Sequence, residues 1–513
     1  MNKKFIIKGK IICKCALFFT GIFLIIYNLN ILVIPKYTEG IERTTTEGVY
    51  YEPPNSIDVL FLGSSHVYDG ISPYEIWMNE GITSYVYAAS IQPTWISYYR
   101  LKEFCKYQTP KVLVLDIGSV FINPEILNEQ LNRWEFDYMR PSINKFYALK
   151  DSILQEESII SYFFPIVQYH SRWNKLTKED FDYFKLDKKS PNKGFAMIPY
   201  TQSFQLQNSN SNTEIFKYTN ENTYEIVENV SDKLYIPNSK SLQYLSMIVE
   251  YCKNNNIELV FIKVPSILSW SEEYYNNALD ISKNLNIPFF DFTYGVDSYY
   301  ITDIDWETDS FDGGKHLNLK GATKASMTMG DLLKDLYPEL FQTNNEIQQL
   351  WNSGLVEYID RKKINLLKMS LKVEDYFDKL NNTDYIILIA GRDDVAWNWN
   401  ESADNIFKRL GFQSDLYGKG HASFIGVIDN EKVIFEKCEF EQLAYETKLD
   451  NNLKVELLSA GYELGDTSSI KINDIEYSLN RRGMNIVVYS KQQQQVIDQS
   501  CIDVFDNWKM YHK

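Results

Sequence analysis

The stretch Ile57-Asp58-Val59-Leu60-Phe61-Leu62-Gly63-Ser64-Ser65-His66 decides how this chain is read. Val59 to Leu62 is continuously apolar, the pattern of a strand covered on both faces in a parallel sheet rather than half-exposed at a surface. Gly63 ends the run, and Ser65 follows on what reads as a strand-to-helix turn. A serine hydroxyl is a poor nucleophile until a base takes its proton and an acid orients that base. The chain has only five histidines, at 66, 170, 316, 421 and 512. One of them stands in Asp312-Gly313-Gly314-Lys315-His316-Leu317-Asn318, where an Asp and a His occur together ahead of a helical stretch, Leu319 to Leu336. Asn318 suits the N-cap of that helix.

Three further apolar runs have the same character: 111–116, 257–263 and 287–291. Helix-like stretches precede them, among them Tyr98 to Tyr107 and Lys240 to Asn254. Strands alternating with helices predict an α/β fold with a doubly wound parallel sheet. Reactive groups of such sheets gather at the carboxyl ends of the strands. Ser65, Asp116 and the Asp312–His316 loop all fall at such ends or after them.

Residues 16–34 carry no charge and as a helix would span about 28 Å, close to a hydrocarbon core. Lys3, Lys4, Lys8, Lys10 and Lys14 precede them, which places a basic tail, 1–15, in the cytoplasm and the rest outside the cell membrane. No small-residue cleavage site follows the run, so a retained single-pass anchor is expected over a cleaved signal peptide. Without those five lysines, 47 basic residues face 68 acidic ones. A surface of that sign excludes nucleic acid as a natural partner. Cys105, Cys252, Cys438 and Cys501 are too few for a disulfide scaffold; a Cys438–Cys501 bridge and buried free thiols both remain open. No metal-ligand spacing and no nucleotide-binding motif occurs, and no cofactor is expected.

In organisation, 35–56 lacks periodicity and reads as a tether; 57–340 is the α/β domain; 122–240 interrupts its rhythm as a cap insertion. The insertion is rich in aromatic and polar residues, with Tyr169-His170-Ser171-Arg172-Trp173 and a Ser/Asn tract at 208–213. The stretch 341–382 reads as a helical connector. A separate α+β domain, 383–513, opens at Tyr385-Ile386-Ile387-Leu388-Ile389-Ala390.

The residues around Ser65 resemble the first block of the SGNH/GDSL hydrolase superfamily, with Ser64 where that block carries an Asp. This variation is similar to the D-alanyl-transfer proteins of teichoic acid synthesis and to membrane-anchored clostridial proteins of that type. The resemblance implies Ser65 as nucleophile, His316 as base and Asp312 as its orienting acid, with Asp309 in reserve. The Asp-to-His interval is four residues here and three in the superfamily. Backbone N–H groups of Ser65 and Ala88 are the implied oxyanion donors, and the third block's Asn is replaced by Leu115-Asp116-Ile117-Gly118. His66, Gln92 and Asp116 are expected to line the site, with His170 and Arg172 available to a glycan or acyl donor.

Asn480-Arg481-Arg482-Gly483-Met484-Asn485 and the strand after it resemble the interleukin-like EMT inducer domain, which implies carbohydrate binding, with Trp397 and Trp399 as stacking surfaces. Together the resemblances imply an esterase or O-acyltransferase, most simply for acetyl groups, acting on a cell-surface polysaccharide or teichoic-acid-like polymer beside a multi-pass membrane acyltransferase. The alternative is a catalytically weak glycan-binding or assembly protein on the same fold.

Overall fold

The computed structural model describes residues 3–36, 41–185, 188–204, 216–218, 224–226, 237–293, 300–341, 344–449 and 452–513. The Ser/Asn tract at 208–213 lies outside them. The chain forms two compact units, Met1–Tyr358 and Ile359–Lys513.

The first unit begins with α1 (Lys3–Val33), whose segment Ile12–Val33 is long and apolar enough to cross a membrane. The stretch expected as a tether instead carries a short helix, α2 (Ile41–Gly48). Apolar periodicity could not reveal it, because it is held largely through buried hydroxyls. Thr45 Oγ1 donates to the Gly194 carbonyl at 3.4 Å, Tyr85 OH donates to the Thr45 carbonyl at 2.9 Å, and Arg100 Nη2 donates to Thr46 Oγ1 at 3.1 Å.

Next come β1 (Val59–Leu62), α3 (Ser65–Gly70), α4 (Pro73–Glu80), β2 (Ser84–Val86), α5 (Thr94–Phe104) and β3 (Val112–Asp116). The insertion supplies α6 (Glu129–Phe136), α7 (Ile143–Ser152), α8 (Ile159–Phe163), α9 (Ile166–Tyr169), α10 (Lys178–Asp182) and an antiparallel pair, β4 (Phe216–Tyr218) and β5 (Tyr224–Ile226). The α/β rhythm resumes with α11 (Ser239–Asn254), β6 (Glu258–Lys263), α12 (Glu272–Leu285), β7 (Phe289–Asp291) and α13 (Leu319–Leu336).

Five of these strands form a parallel sheet in the order β2-β1-β3-β6-β7. Val59, Phe61, Val112, Val114, Val260 and Ile262 face one way and join a core with Ala325, Met329 and Leu333 of α13. Leu60, Leu62, Leu113, Leu115 and Phe261 alternate with them and are fully buried as well. Both faces are therefore covered, which is why these strands carry no polar alternation. Each such side chain contributes on the order of 1.5–3 kcal/mol by leaving water. The chain order reverses between β1 and β3, and a crevice at the carboxyl ends of the strands opens at that switch point.

The division between units falls inside α14 (Asn345–Lys368), within the stretch expected as a connector. Farther along that stretch, α15 (Val373–Leu380) sets Val373, Tyr376, Phe377 and Leu380 at helical spacing into the core of the second unit. Tyr376 OH donates to Asp498 Oδ2 at 2.6 Å.

The second unit is built on β8 (Tyr385–Asp393), α16 (Glu401–Arg409), β9 (Ser423–Asp429), β10 (Lys432–Glu439), β11 (Leu443–Leu449), β12 (Leu453–Gly461), β13 (Thr467–Ile472), β14 (Ile475–Glu476), β15 (Gly483–Ser490), β16 (Gln495–Asp503) and β17 (Lys509–His512). These strands form one curled sheet around β8, which pairs antiparallel with β15 and β9 and, at its end, parallel with β12. Ile387 and Ile389 of β8 join the core that holds α15 and α16; Ile386 and Leu388 join the core between β9, β12 and β13.

The Arg-Gly-x-Asn motif is structural at two of its positions. Gly483 has φ 104°, and a Cβ there would stand 2.0 Å from the Ile502 carbonyl oxygen. Buried Asn485 closes the preceding turn, accepting from the Arg481 amide at 2.9 Å and donating to its carbonyl at 2.7 Å. Cys438 and Cys501 are buried and unbridged.

Candidate active site

Ser65 is the first residue of α3, directly after the β1 turn. Its amide has no intrahelical carbonyl to meet. Gly63 lets the turn close: a Cβ there would lie 2.5 Å from Val67 Cγ2 and 2.7 Å from Asp116 Cβ. The turn thus packs directly against the end of β3.

Ser65 Oγ lies 2.8 Å from His316 Nε2, and His316 Nδ1 lies 2.6 Å from Asp312 Oδ2. A carboxylate only accepts, so Nδ1 carries the shared proton and Nε2 is left to accept from the serine hydroxyl. The loop explains the four-residue interval. Gly313 and Gly314 adopt φ 76° and 102°, and Asp312 Oδ1 accepts the Lys315 and His316 amides at 3.2 and 2.7 Å. One carboxylate oxygen therefore organises the loop while the other holds the imidazole.

Ser310 Oγ accepts the Gly314 amide at 2.7 Å. Asn318 caps α13 through the Lys320 and Gly321 amides, and its Nδ2 donates to the Thr308 and Ser310 carbonyls at 2.8 and 3.2 Å. The loop is tied down at both ends. Burial works to raise the Asp312 carboxyl, but the hydrogen bonds from the His316 ring and amide outweigh it and hold the group below its usual range.

His316 lies between two rings: His66 with centroids 4.4 Å apart, and Phe311 stacked at 5.6 Å. His66 Nε2 meets Ser269 Oγ at 2.9 Å, and its Nδ1 is 3.4 Å from Ser64 Oγ. Burial, reinforced by the neighbouring His316 and Lys263, pushes the His66 pKa well below the ordinary histidine value. His66 is therefore a neutral ring beside the candidate base.

These groups line a cleft of about 500 Å³, together with Asp116, Ser90, Ile91, Trp270 and Tyr274. Asp116 is buried at the end of β3, accepting the Gly118 amide at 3.0 Å. Burial raises its carboxyl to about 6, against the opposing pull of the Gly118 amide, Lys263 and Ser64.

Of the expected site residues, Ser65, Asp312, His316, His66 and Asp116 are brought together in this cleft. Four others are not. Ala88 is fully buried away from the cleft, and residues Ser90 and Ile91 of the same loop reach it instead. Gln92 is turned inward, donating to Ser97 Oγ at 2.9 Å. His170 contacts the Val167 carbonyl at 3.1 Å, and Arg172 donates to the Val33 carbonyl at 2.6 Å while pairing with Asp180. Arg172 thus ties the insertion to α1, and His170 stays exposed on the insertion itself. Asp309 pairs with Lys324 at 2.6 Å rather than with His316. Trp399 is part of the second unit's core, whereas Trp397 is exposed.

Sequence reasoning passed over Ser269, Trp270 and Tyr274. Their signal was positional, since they follow β6 at the carboxyl edge of the sheet. Ile91 holds φ 52°, a left-handed conformation that costs a β-branched residue on the order of 1–3 kcal/mol. The strained residue lies in the cleft wall.

No protein-family model and no curated protein matches the chain. A solved structure from Parabacteroides merdae, described as a GDSL-like lipase, is similar over 54% of this chain and 96% of its own, with 13% identity and a TM-score of 0.25. A likeness at that level carries no weight beside the geometry of the cleft.

Proposed function

We propose that this protein is a membrane-anchored serine acyl-esterase or O-acyltransferase of the SGNH/GDSL type, acting outside the cell membrane on O-acyl, most simply O-acetyl, groups of a surface polysaccharide or teichoic-acid-like polymer. The observation that carries the reading is the Ser65–His316–Asp312 chain of hydrogen bonds, 2.8 and 2.6 Å long, open to a cleft.

Ser65 Oγ attacks the acyl carbonyl as His316 Nε2 takes its proton, and Asp312 stabilises the imidazolium that forms. His316 returns the proton to the departing alkoxide, leaving an acyl-Ser65 ester. Water or a sugar hydroxyl then attacks that ester with His316 again as base, so hydrolysis and transfer share every protein group. The Ser65 amide is the first oxyanion donor in this reading. α1 serves as the anchor, and a multi-pass membrane acyltransferase would supply the acyl group. The second unit is the carbohydrate-binding module, with exposed Trp397 as its stacking surface.

The second reading, a glycan-binding or assembly protein of weak activity, draws on one feature. Asp116 presents a carboxyl where an oxyanion site needs a donor, and one lost donor costs about 100- to 1,000-fold. Turnover of p-nitrophenyl acetate by the full chain, with and without an oligosaccharide acceptor, separates the two. Ser65-dependent release of p-nitrophenol, with the acetyl group passing to the sugar in place of water when acceptor is added, is expected for the transferase. Release no faster than that of Ser65→Ala favours the binding protein.

A further inference from the structure

The cap insertion carries apolar side chains that its own core does not use. Ile160, Phe164, Val167 and Phe181 are exposed, and Trp173 is 74% exposed. They lie along successive elements, α8 and the residue after it, α9, the turn His170–Asn174 and α10, of which the last three pack on α1. The junction is specific: the Ile166 amide donates to Asn30 Oδ1 at 3.0 Å, and Arg172 Nη1 donates to the Val33 carbonyl at 2.6 Å.

Those contacts fix the height of the patch. Ile12–Val33 spans about 33 Å as a helix, so its end coincides with the edge of a hydrocarbon core of about 30 Å. Asn30 and Val33 are separated by about 5 Å along the axis. Elements bonded to both lie in the zone where aromatic and aliphatic side chains enter the headgroup–acyl boundary.

Charge points the same way. The chain is strongly acidic overall, with 68 acidic and 52 basic residues, yet Ile159–Lys185 holds four Lys or Arg against three Asp or Glu. Lys178 and Lys185 are almost fully solvent-exposed, flanking Asp182 at 4.0 and 3.6 Å, so the two cations share one carboxylate. An otherwise acidic protein that loses its acidic excess beside its apolar helix, and exposes lysines there, can meet anionic lipid phosphates without net repulsion.

We propose that Ile159–Lys185 is a bilayer-docking surface, with Trp173 and its apolar neighbours inserted at the headgroup–acyl boundary and Lys175, Lys178 and Lys185 on anionic phosphates. The inference rests on α1 being a membrane anchor and is independent of the chemistry at Ser65.

The test uses the full chain reconstituted in vesicles of phosphatidylcholine and phosphatidylglycerol, with bromine on the acyl chains close to the headgroup. Flotation reads the anchor; tryptophan quenching compared between wild type and Trp173→Phe reads the patch. Expected are flotation of both proteins, strong quenching of wild type, loss of most of it in W173F, and weaker quenching when phosphatidylglycerol is omitted. Flotation with equal quenching of both proteins overturns the docking surface and leaves the anchor standing. Failure to float overturns both. A photo-crosslinker at position 173 that captures a membrane protein in cells, and no lipid, would also overturn it by assigning the patch to a protein partner.

Discussion

Asp116→Asn is the substitution with the most telling consequence. The wild-type carboxyl titrates near 6 in the folded chain because it is buried at the end of β3, against an ordinary value of 3.8. Its folded value is raised, so the native state holds the proton more tightly than the unfolded chain does. Stability from this group is therefore full below about 3.8 and falls as pH rises toward 6. The difference corresponds to at most about 3 kcal/mol, lost in full above pH 6. Lys263 loses a favourable neighbour in the variant, but Asp291 at 3.3 Å remains to compensate it. Asparagine keeps an oxygen for the Gly118 amide and carries no ionisation cost. Thermal melting of the first unit from pH 4 to 8 is the assay. The variant should match wild type near pH 4 and exceed it by about 5 °C above pH 7. Melting curves that differ by the same amount at every pH, or not at all, refute the claim that Asp116 is held as a reluctant carboxylate.

Other outcomes follow from the same structure. Asp312→Asn should lower kcat about 10,000-fold, because an amide nitrogen facing His316 Nδ1 favours the wrong tautomer; ester turnover measures it, and circular dichroism should remain unchanged. Gly483→Ala should destabilise the second unit by more than about 3 kcal/mol, since its Cβ would stand 2.0 Å from the Ile502 oxygen at φ 104°. Separate melting of the two units should show the loss in the second alone.

The sheet was legible wherever burial on both faces produced an unbroken apolar run, as at Val59–Leu62 and residues 112–115. It was illegible at β2, where Ser84 opens a strand of three residues that is buried by context rather than composition. α2 escaped because it packs by threonine hydroxyls; α15 lies in the stretch read as a helical connector, and its place in the second unit's core stayed hidden because its short apolar stripe sits among charges. At the site, Ser65 and His316 could be read from turn chemistry and scarcity. His170 and Arg172 misled because aromatic and basic residues around a ligand and around the end of a long apolar helix look alike in sequence. Ser269, Trp270 and Tyr274 carry no motif; only their place after β6 marks them. Ala88 came from the likeness to the superfamily's second block, whereas Ser90 and left-handed Ile91 are the residues of that loop that line the cleft.

Everything proposed for the cleft requires Ser65 to be an activated nucleophile. Fluorophosphonate labelling of the full chain, beside Ser65→Ala and His316→Ala, tests it most directly. Covalent labelling of wild type at Ser65, absent in S65A and reduced to background in H316A, is expected. A folded wild-type protein that stays unlabelled, or label that persists in S65A, would contradict it.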